Sequence, residues 1–316
     1  MIINCPDCQP PSLLKKSKGS EDESPLFKIS LAQWSLHRHL FGNAIEKLGW
    51  SKLVEELKKD SLATMIGKIT NLDFPVIARK KFEIDAVEYV NQFFLDKAKD
   101  KKYLKELKNR SDSMGVKNLL IMCDHEGNLG SKSEKERKKA VENHYKWIDA
   151  ARLLGCHSIR VNAQGDGSAE DQKKQMVESL SKLVEYSGER GINLIVENHG
   201  GLSSNATWLS EVVKEVNHPC IGTLPDFGNF PEEIDMYESI EKLMPFAKGV
   251  SAKSYNFDKN GNETNIDYMR MVRIVVAAGY RGHLGIEYEG ENLVEYEGIR
   301  KTKDLLERIR NKLEKS

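Results

Sequence analysis

The sequence is poor in cysteine, in proline and in any excess of charge. Its five cysteines (Cys5, Cys8, Cys123, Cys156, Cys220) are odd in number and scattered. That does not suit a secreted disulfide framework and points to a reducing compartment. Cys5 and Cys8 form a lone C-x-x-C without a second ligand pair, so they read as tail rather than as a zinc or redox site. Nine prolines and 23 glycines in 316 residues are too few for a fibrous or low-complexity chain. Forty-eight Lys and Arg balance 48 Asp and Glu, so no net field draws the chain to nucleic acid or to a membrane surface. No apolar run approaches the roughly 18 residues of a membrane span, and the N-terminus lacks a signal peptide's apolar centre. The expectation is a cytoplasmic protein with no nucleic-acid and no membrane partner.

What is present is enough apolar residue, 39%, to build a large core. Residues 1–27 are polar and broken by prolines, and read as a disordered or surface-draped tail. Residues 28–316 read as one domain. Short apolar segments alternate there with longer amphipathic ones. The strand-like pieces are 28–35, 83–90, 116–123, 158–163, 192–198, 221–227, 248–255 and 283–289. Several are nearly continuous apolar runs, as strands covered on both faces should be. Helical periodicity fills the gaps, clearest at 134–154, 169–188, 209–216 and 269–279. A βα unit needs about 30 residues, and eight such units predict an α/β (β/α)8 TIM barrel. An open doubly wound sheet would leave two units unexplained. The long first gap contains an insertion, 41–71, predicted as one or two extra helices on the catalytic rim. Its stripe Leu48, Leu53, Val54 and Leu57 suits packing on its own barrel, with a homodimer contact as the alternative.

Side chains at the C-terminal ends of barrel strands converge on one site. Three such positions are carboxylates set in apolar strands: Glu197, Asp226 and Glu287. Burying a carboxylate is costly unless it is paired or bound to a cation. Three together repel unless a divalent ion neutralises them, and an all-oxygen set favours Mn²⁺ or Mg²⁺, with Zn²⁺ as the weaker choice. The alternative is that each is salt-bridged, for instance to Arg160 or Lys253. Trp34, Glu88, His125, Arg160, Asn162, His199 and Asn229 also fall at strand ends and are candidate substrate contacts. Arg160 suits a carboxylate or phosphate, and Trp34 offers an apolar face. For each, packing or ion pairing inside the barrel is the competing role. The glycine-bearing loop 163–171 makes a poor phosphate site, because Ser168 and Asp171 read as a helix cap and Glu170 already holds the helix start.

ISLAQWSLHR, VENHGGLSS, GTLPDFGNF, VSAKSYNFD and GIEYEG together resemble the sugar phosphate isomerase/epimerase superfamily, the xylose-isomerase-like barrels, over about residues 28–310. The resemblance implies a divalent-metal-dependent sugar isomerase or epimerase. It implies a metal held by Glu197, Asp226 and Glu287. It also implies proton transfer by Glu197 and Glu287 through an enediolate, with Lys253 as a further catalytic group. The family's strand-7 His-x-Lys is here Ser251-Ala252-Lys253, and a histidine often found three residues after the Asp is Asn229. Both departures remove imidazole. A lyase or hydratase acting on a 3-keto-glycoside or related sugar is the alternative on the same scaffold. A non-catalytic sugar-binding protein is a weaker one, and a DNA-repair endonuclease lacks the required histidines and positive charge.

Overall fold

The computed structural model describes residues 25–315; most of the expected tail at 1–27 lies outside the described residues. Eight strands form one parallel sheet: β1 Lys28–Ala32, β2 Ala86–Val90, β3 Lys117–Met122, β4 Ser158–Asn162, β5 Asn193–Glu197, β6 Ile221–Leu224, β7 Val250–Ser254 and β8 His283–Tyr288. Their spatial order is β6-β5-β4-β3-β2-β1-β8-β7. Parallel bridges Thr223–Ala247 and Asp226–Ser251 join β6 to β7 and close the barrel. Every residue of β2, β5 and β7 is buried, because side chains inside meet across the barrel and those outside meet helices.

Each predicted strand is present, and most are shorter than their apolar segment. β6 stops at Leu224 because Pro225 has no N–H to continue the ladder. β1 stops at Ala32, where a tight 3₁₀ turn over Gln33–Leu36 begins. There the Gln33 side chain replaces the ladder, Oε1 accepting the Val90 N–H at 3.1 Å.

A short helix α1, His37–Phe41, leads into the insertion, which holds three helices rather than the one or two predicted: α2 Ala44–Leu48, α3 Trp50–Leu57 and α4 Ser61–Thr64. Gly42 and Gly49, with φ of 60° and 70°, cut it into short pieces. Leu53, Val54 and Leu57 are buried, and Leu53 and Leu57 belong to the barrel's own core. The outer helices are α5 Phe74–Phe82, α6 Lys101–Ser113, α7 Glu134–Leu154, α8 Ala169–Gly188, α9 Ala206–Val216, α10 Met236–Leu243, α11 Tyr268–Ala277 and α12 Glu295–Glu314. Helix α7 buries Ala140, His144, Trp147, Ala150 and Ala151, the face its periodicity predicts. Ser168 caps α8, its hydroxyl accepting the Asp171 N–H at 3.1 Å.

Candidate active site

Strand register sets the site. Asn162 pairs with Glu197, Asp226 bridges to Ser251, and Lys253 pairs with Glu287. These side chains therefore form a continuous arc around the C-terminal end of the barrel. Asp226 is fixed by a reciprocal pair: its N–H donates to Asn198 Oδ1 at 2.8 Å, and Asn198 Nδ2 donates to its carbonyl at 3.0 Å. Its Oδ1 accepts the N–H groups of Gly228 and Asn229 at 2.8 and 2.9 Å.

Two buried cations balance the acids in part. The Arg160 Nη1 donates to Asp124 Oδ1 at 2.7 Å and to Asn162 Oδ1 at 2.9 Å. Its Nε lies 2.8 Å from Glu197 Oε2, yet neither atom has an aligned hydrogen bond. The contact is thus an ion pair without directional bonding. Lys253 Nζ lies 3.1 Å from Glu287, 3.5 Å from Glu289 and 3.8 Å from Asp226. It donates to Asn229 Oδ1 at 2.9 Å, while Asn229 Nδ2 donates to Glu197 Oε1 at 3.1 Å. Asn229 thereby links the two acidic groups.

Burial pushes the Glu197 carboxyl upward; Arg160 opposes the shift and Glu287 adds to it. Burial likewise raises Asp226, against Lys253 and with help from Glu197 and Glu287. Asp124 differs. Burial raises it too, but the Arg160 guanidinium outweighs burial and holds its carboxyl at about 2. Burial lowers Lys253, and the surrounding carboxylates more than reverse this, keeping it firmly protonated.

A cavity of about 580 Å³ opens onto this end. Trp34, His125, Arg160, Asn162, His199 and Glu287 all line it. Glu197, Asp226, Lys253 and Asn229 are not part of that lining; Glu197 touches Arg160, Lys253 touches Glu287 and Glu289, and Asp226 and Asn229 reach the lining through Glu197 and Lys253. Glu88 is elsewhere. It lines a separate cavity of about 220 Å³ built from strand starts, with His157, Asn193 and His283. Its Oε1 accepts from Ser30 Oγ at 2.6 Å, and burial raises its carboxyl to about 8.

Sequence reasoning left out Trp50, Asp124, His144 and Glu289, which line the larger cavity. Asp124 lies two residues beyond β3 and Glu289 directly follows β8, positions that signal rim residues. His144 and Trp50 carry no such signal: one sits on the core face of α7, the other on the insertion.

A model of the xylose isomerase-like TIM barrel matches residues 78–312. The chain belongs to this family. Among solved structures, a D-tagatose 3-epimerase-like protein superposes with a TM-score of 0.67 at 20% identity, over 92% of this chain and 99% of that one. The IOLI protein, solved with a binding zinc atom, gives 0.67 at 15% identity, over 90% and 99%. At such identities the likeness shows the fold of the family. A 48-residue stretch is 50% identical to the C-glycoside deglycosidase alpha subunit of Arthrobacter globiformis, spanning 15% of this chain and 14% of that relative.

Among the described residues no three His, Cys, Asp or Glu side chains are gathered as ion ligands; Arg160 and Lys253 approach the acids instead. Even so, Asp226 Oδ2 is buried without a hydrogen-bond partner, and Glu197 Oε2 has only its unaligned ion pair with Arg160; under-bonded buried carboxylate oxygens are costly. Two cations face Asp124, Glu197, Asp226, Glu287 and Glu289. The residues present fit a hard divalent cation by donor chemistry and by their unmet negative charge.

Proposed function

We propose that the chain is an enzyme of sugar proton transfer, an isomerase or epimerase acting on a keto-sugar at the polar end of the large cavity. The observation that carries this reading is the acidic arc itself. Glu287 and Glu289 line the cavity, while Asp226 Oδ2 has no hydrogen-bond partner and Glu197 Oε2 has only its ion pair with Arg160.

Glu197, Asp226 and Glu287 are the residues that would hold a divalent ion, Mn²⁺ or Mg²⁺ before Zn²⁺. When bound, such an ion supplies Lewis-acid stabilisation of charge developing on substrate oxygens. The chain's own groups do the rest. Glu287 has direct access to the cavity and takes or returns a proton at the carbon beside the carbonyl. Glu197 gains access when Arg160 turns to a substrate oxygen, and completes the transfer from the other face. Returning the proton to the same carbon epimerises; placing it on the neighbour isomerises. Asn162 and His199 position hydroxyl groups, His125 and Trp34 cover the ring, and Asn229 keeps Glu197 and Lys253 in register. Phosphate on the substrate is not required by this geometry.

A second reading has its own support: the short match to a deglycosidase subunit, with Ser251 in place of a strand-7 histidine beside an intact Lys253. In that case the carboxylate breaks a C–H bond, a C=C bond forms, and the bond to the leaving group breaks as Lys253 protonates it. Incubation with ketoses and with 3-keto-glucosides, followed by product NMR, separates the two. New epimers or aldoses support the first, and a released aglycone supports the second. Binding of these sugars with no conversion of any would overturn both.

A further inference from the structure

The large cavity is divided by chemistry. Its inner end holds Arg160, Asn162, Glu287 and Glu289. Its outer wall comes largely from the insertion: Trp50, Val54 and Lys58 line it. These residues are four apart, so they form one stripe along α3 and its C-terminal cap.

The wall is aromatic. The Trp50 ring meets Trp34 edge to face, with centroids 6.2 Å apart and planes at 87°, and lies 5.9 Å from His125. Phe41 supports Trp50 from behind at 6.0 Å, and His37 stacks on Trp34 at 4.9 Å. His125 is held at φ 59°, a left-handed conformation that is unfavourable for a residue with a side chain. Trp50 nonetheless leaves 38% of its surface open. A supported, half-open indole on a cavity wall is an unmet apolar surface, and indole favours flat partners. A second sugar would need hydrogen-bond partners; the cavity's further polar lining groups, such as Gln92, Asn128 and Gln164, come from the barrel itself, whereas the insertion offers Trp50, Val54 and the Lys58 ammonium.

We propose that the insertion forms a subsite for a flat aromatic group joined to the sugar, so that the substrate class is an aryl glycoside whose sugar ring carries a keto group rather than a free sugar. The proposal rests on the reading that the inner end takes a sugar. Trp50 is the specificity-determining residue: the aromatic group lies in the corner between Trp50 and Trp34, and Lys58 meets a phenolic oxygen on it.

The test is calorimetric binding of phenyl β-glucoside, methyl β-glucoside and cellobiose, which requires no turnover. The wild-type chain is expected to bind the phenyl glucoside about tenfold tighter than the methyl glucoside, a difference of ~1.4 kcal/mol. Trp50→Ala is expected to bring that ratio close to one, and Trp50→Phe to keep most of it, which separates stacking from misfolding. Three results would overturn the proposal: a ratio near one in the wild type, a ratio unchanged in Trp50→Ala, or cellobiose binding as tightly as the phenyl glucoside. Failure of the phenyl glucoside to bind the wild-type chain overturns it as well. The sugar-chemistry reading fails separately, through absence of conversion or proton exchange on keto-sugars.

Discussion

Glu197 and Glu88 show how position within one barrel separates two buried glutamates. Glu197 ends β5 beside Arg160 and behind the large cavity, whereas Glu88 sits on β2 with Ser30 as its hydrogen-bond partner. Glu88 therefore gives a pH signature of its own, set chiefly by burial, with Ser30 opposing the shift and Glu287 and Glu197 adding to it. Its carboxyl rises from 4.5 to about 8 on burial. Below about pH 4.5 it is protonated in both folded and unfolded chains. Between there and about pH 8 the unfolded chain releases a proton that the folded chain keeps, so stability falls as pH rises. Denaturant titrations should show wild-type stability declining from pH 5 to pH 8 relative to Glu88→Gln, and flat beyond. A pH-independent difference would mean that Glu88 is ionised in the fold. Lys253→Met tests the opposite sign. It leaves Asp226 and Glu287 without their ammonium neighbour, and about 3–5 kcal/mol of stability should be lost at neutral pH, read from the same titrations.

At the scale of elements, the insertion contributes Trp50, Val54 and Lys58 to the cavity wall. Its start is tied to α12 by one buried carboxylate. Glu295 accepts the N–H groups of Arg38 and His39 at 2.7 and 3.0 Å, and also the His39 ring. Its end is tied by Gly67, whose N–H donates to Leu40 O at 3.1 Å. A Cβ on Gly67 would stand 1.9 Å from the His39 carbonyl oxygen and 2.4 Å from that of Leu40. Both are backbone atoms and cannot turn aside. Gly67→Ala should unseat the insertion, lower the melting temperature by several degrees and weaken ligand binding in the cavity; unchanged melting would show that the insertion is not docked there. These ties were not legible in the sequence, because they join residues more than 250 positions apart or depend on a backbone approach. The strands and long helices were legible. Their apolar runs and 3.6-residue stripes are local, as in residues 194–196 at the centre of β5, although the fully buried β7 carries Ser251, Lys253 and Ser254. Strand ends were read too long wherever a side chain or a proline replaced the ladder, as at Gln33 and Pro225. The carboxylates at strand ends stood out against apolar neighbours. Trp50 and His144 did not, since an aromatic or a histidine on a helix face reads as packing.

For the molecule as a whole, a neutral total charge conceals a strongly acidic centre. Asp226 keeps a buried oxygen without a hydrogen-bond partner, and two cations, Arg160 and Lys253, face five carboxylates. Elemental analysis of the purified protein should therefore find stoichiometric Mn²⁺ or Mg²⁺, and Asp226→Asn should lower it at least tenfold. Equal metal content in both proteins would separate the ion from this arc. The central claim is proton transfer by the acidic arc, and solvent-deuterium incorporation into keto-sugars measures it without knowledge of the product. The wild-type chain should introduce deuterium at the carbon beside the carbonyl, and Glu197→Gln and Glu287→Gln should each slow this by about 10²–10⁴-fold. No incorporation by the wild-type chain, or exchange undiminished in both variants, would contradict the account.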